Sequence, residues 1–214
     1  MSNFIKGLKR FVKHILSFWK EDILYPHVDK TARIDSSAKV YNPNNLFMEE
    51  LTNIDAGATI MNTRAKVIFK KNSGAAFGLT CVTGNHMSIV GLNLKQINDK
   101  VKDEQDIYHE MDKNIVVEED VWIGNHVILL SGVVVGRGSE VGAGSVVRGN
   151  VPPYAVVIGN PCKVVGFRFT PEEIIEHEKK QYEEADRLPM DLLQKNYEKY
   201  FLNKMKEIKQ YTKL

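Results

Sequence analysis

Residues 117–152 read VEEDVW, IGNHVI, LLSGVV, VGRGSE, VGAGSV and VRGNVP, one hexad after another. The first place of each is aliphatic: Val117, Ile123, Leu129, Val135, Val141 and Val147. The fifth is Val121, Val127, Val133, Ser139, Ser145 or Val151, always small or short. A fixed period of six is too short for a propeller blade or an ankyrin unit and fits no helical period. It marks a parallel β-helix. One hexad supplies a short strand and a corner, and three return the chain to its starting edge. Strands a coil apart then pair in parallel at ~4.8 Å. Places one and five face inward, an aliphatic and a small side chain sharing a narrow core. Gly136, Gly138, Gly142 and Gly144 fall at or beside corners, where positive φ or close backbone approach is required.

Outward from this block the period weakens. Hexads start at Ile34, resume at Ile54 and run irregularly through Val82. Residues 87–114, polar and charged, break the pattern with clean hexads on either side. So long an interruption inside a compact domain is a functional insertion or an argument against the assignment, and the flanking hexads favour insertion. After Pro152–Pro153 the repeat fades. Thr170-Pro171-Glu172-Glu173 then opens a helix, with Thr170 as cap and Glu173 completing a capping box. Its expected buried side is Ile174, Ile175, Tyr182 and Ala185. Beyond Pro189, Leu192, Leu193, Tyr197, Tyr200, Phe201, Met205 and Ile208 give a second amphipathic face.

Residues 3–20 read as an amphipathic helix, with Phe4, Leu8, Phe11, Ile15 and Trp19 on one side and Lys6, Lys9, Arg10 and Lys13 between them. Its face packs on the body of the protein or a partner subunit, or lies weakly on a membrane surface. Cores require such faces more often than membranes do. The chain is therefore an all-β core with helical ends: an N-terminal helix and lead-in over 1–30, a β-helix domain over 31–168 with a protruding loop at 87–114, and C-terminal helices over 169–214.

Among 214 residues, 43% are hydrophobic and the formal net charge is +2, so charge gives no reason to expect nucleic acid. Cys81 and Cys162 are no disulfide framework, and a reducing, cytoplasmic setting is the simpler reading, with the inner-membrane periphery a variant of it. No apolar run reaches the ~20 residues of a spanning helix, and no signal-peptide pattern opens the chain.

The stretch from Val121 to Val165 closely resembles the hexapeptide-repeat acyltransferases with a left-handed β-helix. The branch it is most similar to contains the galactoside, maltose and nodulation-factor O-acetyltransferases and the xenobiotic, streptogramin-type acetyltransferases. The resemblance covers roughly residues 30–168. It rests on WIG at 122–124, GAGSVV at 142–147, GNPCKVV at 159–165 and TGNH at 83–86; GFRFTPEEI, beyond the repeats, is more like the xenobiotic branch. It implies an acetyl-CoA-dependent O-acetyltransferase, assembled as a homotrimer, whose cofactor lies along a corner of the prism between two subunits.

The resemblance places His86, just before the protruding loop, as the general base. A sugar hydroxyl is a poor nucleophile at neutral pH, and an imidazole titrating near ~6.5 can accept its proton as the C–O bond forms. Otherwise His86 merely caps the loop. Asn125, Ala143, Arg148 and Lys163 fall on the implied cofactor path, with Arg148 and Lys163 placed for its phosphates. Arg148 reads nearly as well as a solvated charge, and Gly149 stands where relatives often carry lysine. Trp122 either packs at a corner or interface or lines the acetyl-donor side. His126 belongs on the coil surface near the cofactor, and His109 in the loop is a substrate contact or solvated. The expected acceptor is a saccharide, a surface-polysaccharide unit or its precursor; an antibiotic is the close variant. A γ-carbonic-anhydrase-like zinc enzyme needs three histidines around the metal, and His86, His109 and His126 lack that spacing, so no metal is expected. A non-catalytic trimeric scaffold needs neither the insertion nor His86.

Overall fold

All the side chains that the hexads send inward are buried, from Val117 at 0% exposure to Val151 at 4%. This fixes the register of the prism, because a slip of one residue would turn every one of them outward. The computed structural model describes residues 25–108 and 110–202. His109, the segment 3–20, Met205 and Ile208 lie outside the described residues.

Strands of mostly two or three residues form three faces. The first face runs Arg33–Ile34, Asn53–Ile54, Gly74–Ala75, Trp122–Ile123, Glu140–Val141 and Ala155–Gly159. The second runs Lys39–Val40, Thr59–Met61, Thr80–Val82, Ile128–Leu130 and Val146–Val147. The third runs Leu46–Met48, Val67–Phe69, Ile115–Val117 and Val134–Val135. Each strand pairs in parallel with its counterpart one coil away, as Trp122 does with Glu140 and Ile128 with Val146. In the clean repeat, residues 18 apart stack, as Glu119 and Arg137 do. Upstream the spacing is 20 or 21, as from Arg33 to Asn53 and from Asn53 to Gly74, because the corner from second to third face holds extra residues, including a 3₁₀ turn at Pro43–Asn45. Those residues are what blur the hexads before Val82.

Corners stack as regularly as strands. Between third and first faces, Asn72, Asp120, Gly138 and Tyr154 have φ of 60°, 55°, 69° and 60°. The Asp120 N–H donates to Lys71 O, Gly138 to Glu119 O and Tyr154 to Arg137 O, each closing one coil on the next. Asn72, Asp120 and Tyr154 tolerate this φ, so what requires glycine at Gly138 is the close approach: a Cβ there would sit 2.5 Å from the Tyr154 ring.

Two features depart from the sequence reading. The insertion is not structureless: it contains helix α1, Asp99–Gln105, capped by the Asn98 side chain. It springs from the corner between second and third faces, so pairing there skips 48 residues, as from Lys66 to Asn114. The second departure is at the far end, where the parallel repeat stops in a hairpin. Ala155–Gly159 pairs antiparallel with Cys162–Phe167, so GNPC is its turn.

Helices α2, Pro171–Gln181, and α3, Met190–Tyr197, follow, with Thr170 and Glu173 forming a complete capping box. Ile174 and Leu193 pack on Tyr154 in a small second core. Helix α2 is shorter than its pattern suggested: Tyr182 is its cap, and Ala185 is exposed in a 3₁₀ turn. Leu192 is also exposed, at 38%.

What docks α2 is polar. Glu178, 1% exposed, accepts from Tyr154 OH at 2.6 Å, Arg137 Nη1 at 3.1 Å and Leu188 N at 2.9 Å. Arg137 also donates to Glu119 and lies 4.1 Å from the centre of the Tyr182 ring. Burial and the bond to Glu178 push the Tyr154 phenol far above its usual range, so it remains a donor. Removing one partner of a buried charged cluster costs more than the cluster contributes, because the others stay buried and unpaired. Glu178→Ala should therefore destabilise the helical end by about 3–5 kcal/mol. Limited proteolysis should then cut between 169 and 189 while the repeats stay intact; unchanged protection would contradict this account of the docking.

Candidate functional site

The insertion folds back over the corner it leaves, enclosing a cavity of about 310 Å³. Met61, Leu94 and Ile97 supply apolar wall, and Arg64, Asn98 and His86 polar wall. His86 is exposed at this cavity and makes no hydrogen bond or ion pair among the described residues.

The two ends of the insertion are tied by charge. Asp112 Oδ2 accepts from Arg64 Nε at 2.6 Å, and Asp112 Oδ1 from Lys102 Nζ at 2.6 Å and from the Asn85 N–H at 3.1 Å. Lys102 Nζ also donates to Asn85 O at 2.8 Å. Arg64 pairs further with Asp103, and with Asp99 at 3.8 Å. Burial alone would push the Asp112 carboxyl up, but the bonds from Lys102, Asn85 and Arg64 outweigh it and hold it below the usual carboxylate range. Asp112 is thus a carboxylate at neutral pH, and Arg64 has its charge taken up by carboxylates of the chain itself.

The residues assigned to the cofactor path fall in two other places. Asn125 and Ala143 are exposed on the corner between first and second faces, one coil apart, linked by Gly144 N–H donating to Asn125 O at 2.8 Å. Trp122, 50% exposed, stands on the first face beside them. His126 shares this corner with φ of 54°, where the coils above and below carry Gly78 and Gly144. Its ring lies edge-on to Phe77 with centroids 5.1 Å apart, and a Cβ on Gly78 would come within 2.4 Å of its Nδ1. Arg148 and Lys163, both exposed, line a depression of about 490 Å³ near the terminal hairpin, with Pro161, Cys162 and Tyr200.

A single chain therefore gathers Trp122, Asn125, His126 and Ala143 into one strip and Arg148 with Lys163 into another. His86 shares a cavity with neither. Along the second face, which separates His86 from the strip, the outward side chains Met61, Val82, Ile128, Leu130 and Val146 are apolar and half-buried, with Thr59 and Thr80 beside them. Among the described residues no group of three or more His, Cys, Asp or Glu is placed to hold a metal ion. The sequence reading passed over Arg64, Lys102 and Asp112, since tertiary ion pairs inside a non-periodic stretch leave no spacing signal.

Residues 114–149 match the model of the bacterial transferase hexapeptide, six repeats. The chain is 46% identical to a chloramphenicol acetyltransferase of Klebsiella aerogenes over 61 residues, 28% of this chain and 29% of that one. It is 41% identical to the galactoside O-acetyltransferase of Escherichia coli strain K12 over 66 residues, 28% and 32% of the two chains. The matches thus span about a third or less of the curated relatives' length. A hexapeptide-repeat acetyltransferase of Vibrio cholerae, solved with acetyl coenzyme A, superposes with a TM-score of 0.58 at 21% identity, covering 72% of this chain and 77% of that one. The coils of this chain form the left-handed parallel β-helix of the hexapeptide-repeat acetyltransferase fold.

Proposed function

We propose that this chain is an acetyl-CoA-dependent acyltransferase that moves an acetyl group to a hydroxyl of a saccharide, with His86 as general base. The observation that carries the reading is an exposed imidazole, free of protein partners, at a cavity sized for a small acceptor. The names of the hexapeptide relatives support the donor and the reaction. The acceptor hydroxyl gives its proton to His86 as its oxygen bonds to the thioester carbonyl carbon. The C–S bond then breaks, and the thiolate recovers the proton, leaving an acetyl ester and free coenzyme A. The chloramphenicol acetyltransferase relative favours an antibiotic acceptor as the second reading. Acetyl-CoA and two unpaired cysteines fit a cytoplasmic setting.

The donor takes the strip of Trp122, Asn125 and Ala143, with Arg148 and Lys163 toward its phosphates. Because His86 lies apart from that strip, we place the reaction at a junction between copies in a homotrimer. The apolar second face supports this, since its burial on a neighbour removes Ile128, Leu130 and Val146 from water. Calorimetry with coenzyme A, light scattering, and release of thiol from acetyl-CoA in the presence of a galactoside or chloramphenicol test these points together. A monomer that binds no coenzyme A would end the reading. His126 stands on the donor strip, away from the acceptor cavity. His126→Ala should raise the KM for acetyl-CoA by about 2–10-fold, the worth of one polar contact, and leave kcat nearly unchanged. A lost kcat with normal KM would move His126 into the chemistry.

A further inference from the structure

Asn85, immediately before His86, is held on three sides. Its N–H donates to Asp112 Oδ1 at 3.1 Å, its carbonyl accepts from Lys102 Nζ at 2.8 Å, and its side-chain amide donates to Met111 O at 2.6 Å. Two of these three bonds come from one ion pair, Lys102–Asp112 at 2.6 Å, with both side chains only 9% exposed. Burying such a pair has a large desolvation cost, and as a device for stability it is a poor one. Nor is it needed to close the insertion. Arg64 already grips Asp112 Oδ2, Asn114 accepts from Lys66 N, and Ser131 accepts from Lys113 N. What Lys102 and Asp112 Oδ1 add is a clamp on both peptide groups of the residue that carries His86. The clamp joins Asn85, just before the insertion, to two separate parts of it: helix α1 at Lys102 and its end at Asp112.

We propose that the buried Lys102–Asp112 pair is a positioning device: through Asn85 it fixes the backbone from which His86 reaches the cavity, so that the imidazole meets the acceptor hydroxyl in a reactive geometry. This rests on His86 being the base. Lys102 and Asp112 also line the cavity, so the KM for the acceptor is read beside kcat: a clamp acting through Asn85 moves kcat and the His86 ring signal, and a direct contact moves the acceptor KM with the ring signal unchanged. With both peptide groups of Asn85 held, the remaining freedom of His86 is its own φ, ψ and side-chain rotation. Misplacing a catalytic group by about 1 Å costs on the order of 10²-fold in rate. Loss of the clamp therefore falls on kcat and spares donor binding, which lies on the other corner.

The test uses the full chain with Lys102→Met, Lys102→Arg, Asp112→Asn and His86→Ala. Acetyl-CoA is the donor, and chloramphenicol and p-nitrophenyl galactoside are the acceptors. Lys102→Met should lower kcat by about 10–100-fold with the KM for acetyl-CoA unchanged. Lys102→Arg, which retains a cationic donor, should restore most of it. Asp112→Asn, isosteric and still able to accept from the Asn85 N–H, should fall between. The second readout needs no acceptor. The His86 ring signal in a ¹H–¹³C spectrum, single in the parent chain, should broaden or split in Lys102→Met, while the methyl signals of Ile123, Val127 and Leu129 stay in place. An unmoved ring signal or full kcat in Lys102→Met overturns the proposal. If Lys102→Met does not fold, Asp112→Asn and Lys102→Arg decide by the same two readouts. Full activity in His86→Ala would instead refute the base assignment, and the ring signal would still judge the clamp.

Discussion

His86→Ala should lower kcat by about 10²–10⁴-fold while leaving coenzyme A affinity and assembly nearly intact. The side chain is exposed at the cavity beneath the insertion and has no partner among the described residues, so its loss leaves no buried group unsatisfied. Folding should not notice it. The strip of Trp122, Asn125 and Ala143 proposed for the donor lies on a different corner, so binding should not notice it either. What disappears is a proton acceptor, and the rate that remains reflects proximity of hydroxyl and thioester alone. In the parent chain kcat/KM should rise with pH, since only the neutral ring accepts a proton, and the variant should lose that rise. Stopped-flow detection of released thiol across pH 5–9 gives both results. Parent-like turnover in His86→Ala, or a pH rise surviving in it, would remove His86 from the chemistry.

The hexads from Val117 to Val151 made the prism legible because every inward place recurs at a fixed interval, and the structure buries all of them. Before Val82 the same architecture is present but harder to read, since the corners at Asn42–Asn45 and Asn62–Lys66 hold extra residues that break the interval. The terminal hairpin was invisible for a different reason. Ala155–Gly159 still carries the alternation of a coil strand, and only the antiparallel return of Cys162–Phe167 reveals that the helix has ended. Periodicity has no access to the insertion at all. Lys102, Asp112 and Arg64 look like ordinary solvated charges in the chain, and the ion pairs that join them span up to 48 residues. The same holds for Arg137, Tyr154 and Glu178, whose cluster joins a corner to helix α2 across 41 residues. His86 is singled out by the family resemblance alone, and nothing in its local spacing marks it.

Val127→Asp should be the most damaging single change to the fold. Val127 is 0% exposed, sits in the main core, and its carbonyl accepts from Thr80 N at 2.9 Å, where the insertion-bearing coil meets the next. A carboxylate there has no cation within the prism to pair with, because the neighbouring core side chains, Leu79 one coil back, Leu129 in its own coil and Ser145 one coil on, are uncharged. Burying an unpaired charge costs several kcal/mol even after the group shifts toward its neutral form, against a total stability of about 5–15 kcal/mol. Coils stack only on their neighbours, so a failure at this one separates the coils on either side of it. The neighbouring residue supplies the control. Ile128 points outward on the second face and is half-buried in the single chain. Ile128→Asp should leave a folded protein with parent-like circular dichroism that no longer assembles, whereas Val127→Asp should yield aggregated or unfolded chain. Val127→Ala, which leaves only a small cavity, should cost about 1–3 kcal/mol and remain assembled. A soluble, cooperative and active Val127→Asp beside an unfolded Ile128→Asp would reverse the inward register, and with it the placement of every residue on the donor strip.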